Sequence, residues 1–138
     1  MTGALWMILN AYTRPGDKVL IQAPVYHTFS IVIKGAGRFV ESNDLVLEDG
    51  RYEMNFEDLE KKVADPRVRI MLICNPHNPV GRVWTKEELI KVAEICKKNN
   101  TILVGDEIHG DIVYGEHKHT PLFSLSDDLT DNIVVMGS

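Results

Sequence analysis

The chain has 138 residues, enough to bury one core, and its apolar (44%) and charged (25%) fractions are ordinary for a globular protein. The net charge is −5 and the basic residues are scattered, which argues against nucleic-acid or membrane-surface binding, because both need a concentrated positive face. No apolar run approaches the roughly 20 residues of a membrane span, and the first residues lack the features of a signal peptide. We therefore expect a single soluble, cytoplasmic α/β unit.

The first half of the chain alternates between helix and strand signals. In order, these signals predict a helix, a strand, a helix, a strand and an excursion, over 3–13, 19–23, 26–37, 38–42 and 45–55. The excursion carries a turn at Asp49–Gly50, because both residue types favour turn conformations.

The second half continues the alternation, with predicted elements in the order helix, strand, helix, strand and strand, over 56–65, 69–74, 86–100, 101–105 and 132–136. Asn55 caps the first of these helices, and Thr85 with Glu88 forms a capping box ahead of the second. The strand "RIMLIC" is apolar without a break, as is typical of a parallel strand buried on both faces. The alternation predicts a mostly parallel, doubly wound sheet with helices on both faces.

Polar residues follow several of the predicted strands. Tyr26 follows the first strand, the turn "NPHNPVG" (75–81) follows the third, and Asp106 and His109 follow the fourth. Proline fixes φ and X–Pro bonds can be cis, so this turn is a rigid support for Asn78, whose amide can donate to an anionic oxygen. Because ligands of such sheets lie beyond the carboxyl ends of the strands, we expect these side chains to converge.

Four segments make the chain similar to a known family: "TGAL" at 2–5, "PGDKVLIQAPVYHTF" at 15–29, "NPHNPVGRVWTKEEL" at 75–89 and "DEIHGDIVY" at 106–114. Together they resemble the fold-type I, pyridoxal-phosphate-dependent aminotransferases of class I/II, and most of all the C–S lyase branch that includes cystathionine β-lyase. The resemblance implies that residues 1–138 are a partial cofactor-binding large domain. The family's N-terminal arm, its Schiff-base lysine segment and its small C-terminal domain have no counterpart in these residues.

The resemblance implies pyridoxal 5′-phosphate as the cofactor and assigns roles to particular residues. Asp106 matches the aspartate that keeps the pyridine nitrogen protonated, so that the ring can take up electrons from the substrate. Asn78 matches the asparagine that donates to the phenolic oxygen, and Tyr26 the aromatic residue that stacks on the ring. His109 is expected to contact the same oxygen, and Thr2 lies in the phosphate-binding turn at a helix N-terminus. Without the resemblance, an aspartate after a strand is equally typical of a turn or helix cap.

The family's catalytic lysine is expected just beyond Ser138, since none of the chain's nine lysines lies in a matching context. No catalytic residue is therefore assigned within the chain, which we expect to be inactive in isolation and to bind the cofactor weakly or not at all. The implied reaction is β-elimination from a cysteine S-conjugate such as cystathionine, giving a thiol, pyruvate and ammonia. Amino transfer to an oxo acid remains an alternative, as does a non-catalytic fragment that folds or associates. The resemblance also implies an amino-acid substrate and a homodimer.

Other site classes are less well supported. His109, Asp111, His117 and His119 could be grouped as metal ligands, but such residues on a loop are more typical of a solvated surface, and we expect no metal site. "GAG" at 35–37 follows a helix and lacks the third glycine of a dinucleotide-binding fingerprint. Cys74 and Cys96 are predicted to be buried thiols rather than a disulfide.

Overall fold

A computed structural model describes residues 2–137, so Ser138, beyond which the catalytic lysine is expected, lies outside the described residues. The helices are Thr2–Tyr12 (α1), Thr28–Gly35 (α2), Phe56–Val63 (α3), Lys86–Lys98 (α4) and Asp127–Thr130 (α5), with a 3₁₀ turn at Leu122–Ser124. The strands are Lys18–Ile21 (β1), Phe39–Ser42 (β2), Val46–Glu48 (β3), Arg51–Glu53 (β4), Val68–Cys74 (β5), Ile102–Asp106 (β6) and Ile133–Met136 (β7).

Five strands form one parallel sheet in the order β2-β1-β5-β6-β7, and β3 and β4 form a separate antiparallel hairpin. The chain leaves β1 for β2 on one side and returns to β5 on the other side. The strand order therefore reverses between β1 and β5, which is where ligands of doubly wound folds bind. The fold class predicted from the sequence is confirmed.

The sheet separates two hydrophobic layers, because successive side chains of a strand point to opposite faces. On one face α1 and α2 pack against residues that include Ile21 and Leu72. On the other face α3 and α4 pack against residues that include Leu20 and Met71. Strand β5 is buried along its whole length except at Arg69, as its continuous apolar run predicted.

Local hydrogen bonds start α3 and α4 at the residues that the sequence predicted. Thr85 Oγ1 accepts from the Glu88 main-chain N–H (3.2 Å) and Glu88 Oε2 accepts from the Thr85 N–H (2.7 Å), which completes the capping box of α4. Asn55 Oδ1 accepts from the Asp58 N–H at 3.0 Å and caps α3. These bonds satisfy main-chain donors that a helix N-terminus leaves without partners.

Two features differ from the sequence-based expectations. Asp106 is the last residue of β6 rather than the first residue after it. The segment between β6 and β7 also contains the 3₁₀ turn and α5, which no pattern predicted because each is too short to show a helical period. None of the helices within residues 2–137 combines the length and apolar character required to cross a bilayer.

Candidate active site

A cleft of about 250 Å³ opens where β1, β5 and β6 end. Its lining residues are Tyr26, Cys74, Asn78, Asp106, Ile108 and His109. Four of the five residues that the sequence nominated thus share one cleft. The fifth, Thr2, is the exposed first residue of α1 and does not line this cleft.

Asp106 is a buried carboxylate, with 3% of its surface exposed. Burial raises the pKa of Asp106, an effect that the Ile108 main-chain N–H and nearby His109 partly oppose. The Ile108 N–H lies 3.3 Å from Oδ1, and no lysine or arginine in residues 2–137 forms an ion pair with this carboxylate. Because an uncompensated buried charge is costly, the cleft suits a ligand that brings a positive charge or a proton to Asp106.

Tyr26 follows β1 and is half-buried at the cleft wall. Its ring makes an edge-to-face contact with Phe29, at 5.6 Å between centroids and 86° between planes. Phe29 is itself buried to 1% exposure, and its main-chain N–H donates to the Tyr26 main-chain oxygen at 3.0 Å. The start of α2 therefore fixes the tyrosine ring at a position where a planar aromatic ligand could stack on it.

The turn at 75–81 is held by Asn75, which is fully buried. Its side-chain Nδ2 donates to the Thr120 main-chain oxygen, and its Oδ1 accepts from the Trp84 main-chain N–H, both at 3.2 Å. Asn75 thus serves the turn, whereas Asn78 is half-buried and lines the cleft. The Asn75–Pro76 and Asn78–Pro79 bonds are cis, as is Ala23–Pro24. The two asparagines of this turn therefore differ in their surroundings: Asn75 is hydrogen-bonded within the fold, whereas Asn78 faces the cleft.

Beneath this turn, Trp84 and Arg82 form a buried support. Trp84 has no exposed surface, and its indole Nε1 donates to the Cys74 main-chain oxygen at 2.9 Å. The Arg82 guanidinium lies 4.5 Å from the Trp84 ring centroid and pairs with Glu53 (3.2 Å) and Glu88. The end of β5, the β3–β4 hairpin and the start of α4 are joined through these contacts.

His109 lies in the turn that follows β6, where its main-chain oxygen accepts from the Ile112 N–H at 2.8 Å. Glu107, to which the sequence gave no role, anchors this turn because its Oε1 accepts from the Leu122 main-chain N–H at 2.7 Å. His119 Nε2 lies 3.8 Å from the same oxygen. Within residues 2–137, no group of three or more histidine, cysteine, aspartate or glutamate residues is arranged to hold a metal ion.

Two cleft residues, Ile108 and Cys74, were not nominated from the sequence. Cys74 is the last residue of β5. It is 1% exposed, its Sγ donates to the Pro76 main-chain oxygen at 3.2 Å, and burial raises the pKa of its thiol to about 12. The alternation of strand side chains was the available signal, since Cys74 ends β5 on the same face as Ile70 and Leu72. Cys96 is buried too, and both thiols are free.

Comparison with known proteins agrees with this geometry. Residues 2–138 match the family model for aminotransferase class I and II, and the chain belongs to this family. Among curated relatives, the cystathionine β-lyase PatB of Bacillus subtilis is 48% identical over 128 residues, which are 93% of this chain and 33% of PatB.

Solved structures extend the likeness to the backbone. The crystal structure of cystalysin from Treponema denticola, which contains a pyridoxal 5′-phosphate cofactor, has a TM-score of 0.96 and 37% identity over 99% of this chain and 35% of its own. The pyridoxal-phosphate-bound C–S lyase from Staphylococcus hominis has a TM-score of 0.94 and 33% identity, over 99% of this chain and 36% of its own. The chain spans about a third of the length of these proteins, and the predicted resemblance to the C–S lyase branch is confirmed.

Proposed function

We propose that residues 1–138 are part of the large domain of a C–S lyase and supply its pyridoxal-phosphate cleft. The observation that carries this proposal is the buried carboxylate of Asp106, which has no lysine or arginine ion pair within residues 2–137 and shares one cleft with Asn78 and Tyr26. A protonated pyridine nitrogen is the kind of partner that such a carboxylate needs. The residues present therefore fit this cofactor.

Each nominated residue has a task that its surroundings allow. Asp106 would hold the proton on the ring nitrogen, Asn78 would donate to the phenolic oxygen, and Tyr26 would stack on the ring. His109 would make a second contact near that oxygen, and Thr2, with the free N–H groups at the start of α1, would contact the phosphate. When bound, the cofactor supplies a ring that stabilises negative charge at the substrate Cα.

The reaction that we propose is β-elimination from a cysteine S-conjugate such as cystathionine, with a thiol, pyruvate and ammonia as products. The names of PatB and of the staphylococcal C–S lyase support this choice. The proton-transferring lysine stays a prediction, placed just after Ser138. Without it, the isolated residues 1–138 would bind an amino-acid substrate or cofactor weakly and would not turn over.

Amino transfer is the second candidate, because the family model that matches the chain is that of the aminotransferases. Both reactions need the same proton held at the ring nitrogen by Asp106. They differ in whether a group leaves from Cβ or an oxo acid accepts the amino group. A non-catalytic fragment that only folds or associates is the third outcome that an experiment must separate.

We also propose a homodimer in the cytoplasm. Trp6, Met7 and Ile31 are large apolar residues of α1 and α2 that are 44%, 67% and 61% exposed, as expected for a face that another surface covers. The two free cysteines suit a reducing compartment.

The test begins with intact mass before and after addition of pyridoxal phosphate and borohydride, together with an absorbance titration of cofactor. We expect saturable binding that Asp106→Asn abolishes and that Asp111→Asn, an exposed carboxylate outside the cleft, leaves unchanged. A covalent reduced adduct would show that a lysine reaches the cofactor. Products from cystathionine then separate the reactions: pyruvate without an added oxo acid indicates a lyase, and no cofactor binding at all refutes the proposal.

A further inference from the structure

The imidazole of His77 connects the segment that follows β1 with the turn that follows β5. Its Nε2 lies 3.0 Å from the main-chain oxygen of Pro24, in the segment that follows β1. His77 itself belongs to the turn after β5 and directly precedes Asn78. Pro24 stands two residues before Tyr26. One side-chain hydrogen bond thus joins the two segments that carry the ring-stacking and the amide-donating residues.

The surroundings of this imidazole fix its orientation. His77 is 1% exposed, and its ring makes an edge-to-face contact with Trp84 at 5.4 Å between centroids. Its main-chain N–H donates to the Arg82 oxygen, and its own oxygen accepts from the Gly81 N–H, both at 2.7 Å. Backbone and ring are therefore both held, so the position of Nε2 is set by the turn.

The chemistry of the bond defines the tautomer. A carbonyl oxygen only accepts hydrogen bonds, so Nε2 must carry the proton that it donates to Pro24. Nδ1 is buried and has no hydrogen-bond partner in the part of the chain that the structure describes. Burial lowers the pKa of His77, with the Arg82 charge acting in the same direction and the main-chain oxygens of Pro24, Cys74 and Gln22 opposing it. The ring is thus neutral, with its hydrogen on Nε2, near pH 7.

We infer that His77 is a positioning residue that sets the distance between Tyr26 and Asn78 across the cleft. The inference rests on the proposed function, since it assigns His77 to the cofactor that those two residues would hold. β1 and β5 end side by side where the strand order reverses, and a different loop follows each strand. The hydrogen bond from His77 to Pro24 joins these two loops. Because the His77 ring is held rigidly, the bond keeps the width of the cleft constant.

The variants that test this inference differ in where they place a donor. Glutamine has the same number of bonds from Cβ to Nε2 as histidine, so His77→Gln keeps the donor. Asparagine places its amide where Nδ1 was, and methionine fills a similar volume with no donor, so His77→Asn and His77→Met both lose the bond to Pro24. All three are made in the full chain, and cofactor dissociation constants are measured at a temperature where every variant is folded.

We expect His77→Gln to bind pyridoxal phosphate within about threefold of the unsubstituted chain, and the other two variants to bind about tenfold more weakly, which is the effect of one hydrogen bond. Equal weakening in all three, or none in His77→Met, would overturn the inference. Should His77→Met fail to fold, His77→Asn carries the same comparison.

A second measurement needs no cofactor. The imidazole ¹⁵N resonances of the unliganded chain should show the neutral form with hydrogen on Nε2. The distance between the side chains of Tyr26 and Asn78 should be the same in the unsubstituted and His77→Gln chains, and longer in His77→Met. The opposite tautomer or an unchanged distance would refute positioning. If these results are obtained but no cofactor binds, the proposed function is refuted, whereas the structural role of the hydrogen bond from His77 to Pro24 is supported.

Discussion

The main-chain N–H of Asn75 donates a 2.9 Å hydrogen bond to the main-chain oxygen of Asp106. This bond continues the β5–β6 pairing by one residue, beyond the pair of Cys74 and Asp106. The turn that carries Asn78 therefore begins beside the buried carboxylate. The relative position of the amide and the carboxylate in the cleft follows from sheet register rather than from a flexible loop.

Asp106→Asn should stabilise the fold while it removes cofactor binding. The ionised carboxylate is buried and has no lysine or arginine ion pair within residues 2–137, whereas a neutral amide in the same place can still accept from the Ile108 N–H. We expect the free energy of unfolding at pH 7 to rise by about 1 kcal/mol, because a group kept for function can lower the stability of the fold. Urea unfolding measures this, and a loss of stability would contradict it.

The difference in stability between the unsubstituted chain and Asp106→Asn should depend on pH. Burial raises the folded-state pKa of Asp106 above its ordinary value of 3.8, so the folded chain binds this proton more tightly than the unfolded chain does. The stability that protonation contributes is present below about pH 4 and is lost as the pH rises through the folded-state pKa. The advantage of Asp106→Asn should therefore be small at pH 4 and larger at pH 7. If the difference in stability instead increased as the pH fell, Asp106 would not be the group responsible.

Gly105→Ala should be strongly destabilising. A Cβ atom at Gly105 would lie 2.4 Å from Leu122 Cδ1, and Leu122 is fully buried and cannot move into solvent. We expect a loss of about 1–3 kcal/mol in the free energy of unfolding, as is typical of overpacking. Gly3→Ala is the matched control, because a Cβ there meets no atom within 4 Å and alanine favours the helix.

A double mutant tests the cause of that effect. Leu122→Ala removes the clashing atom, so it should destabilise the Gly105→Ala chain less than it destabilises the unsubstituted chain. Additive losses would mean that the strand, rather than this contact, is disturbed.

Arg82→Met should cost about 3 kcal/mol, because it leaves the Glu88 carboxylate, whose side chain is 16% exposed, without its cation. Arg51→Met is the control. Arg51 also pairs with Glu53, at 2.8 Å, but its side chain is 54% exposed, so its loss should cost about 1 kcal/mol or less. Glu88→Gln, which can keep the capping box, should restore much of the stability of Arg82→Met. Chemical unfolding of the four proteins decides this, and equal losses at Arg82 and Arg51 would contradict it.

Neither cysteine should react with a thiol reagent at pH 8 in the folded chain. Cys74 and Cys96 are 1% and 0% exposed, and burial raises the pKa of each thiol to about 12, so the reactive thiolate is scarce. Both should react on addition of denaturant. Rapid modification of Cys74 under native conditions would show that the cleft opens more widely than the structure indicates.

The predictability of the site differed from residue to residue. Asp106, Asn78, Tyr26 and His109 could be nominated because each lies at or just after the end of a strand and in a recognisable motif, and the cleft contains all four. Thr2 could not be judged in the same way, since its task depends on groups around the start of α1. Cys74 was read only as a core residue, although strand alternation could have placed it at the cleft.

The sequence by itself determined the alternation of strands and helices, the capping of α3 and α4, and the class of the sheet, because these follow from short-range periodicity and local hydrogen bonds. It also carried the family motifs. Only the tertiary structure decided that Asn75 holds the turn through Thr120 and that His77 bonds to Pro24. Those contacts join residues 45 and 53 positions apart, and such pairings arise from strand order and packing, which no local pattern encodes.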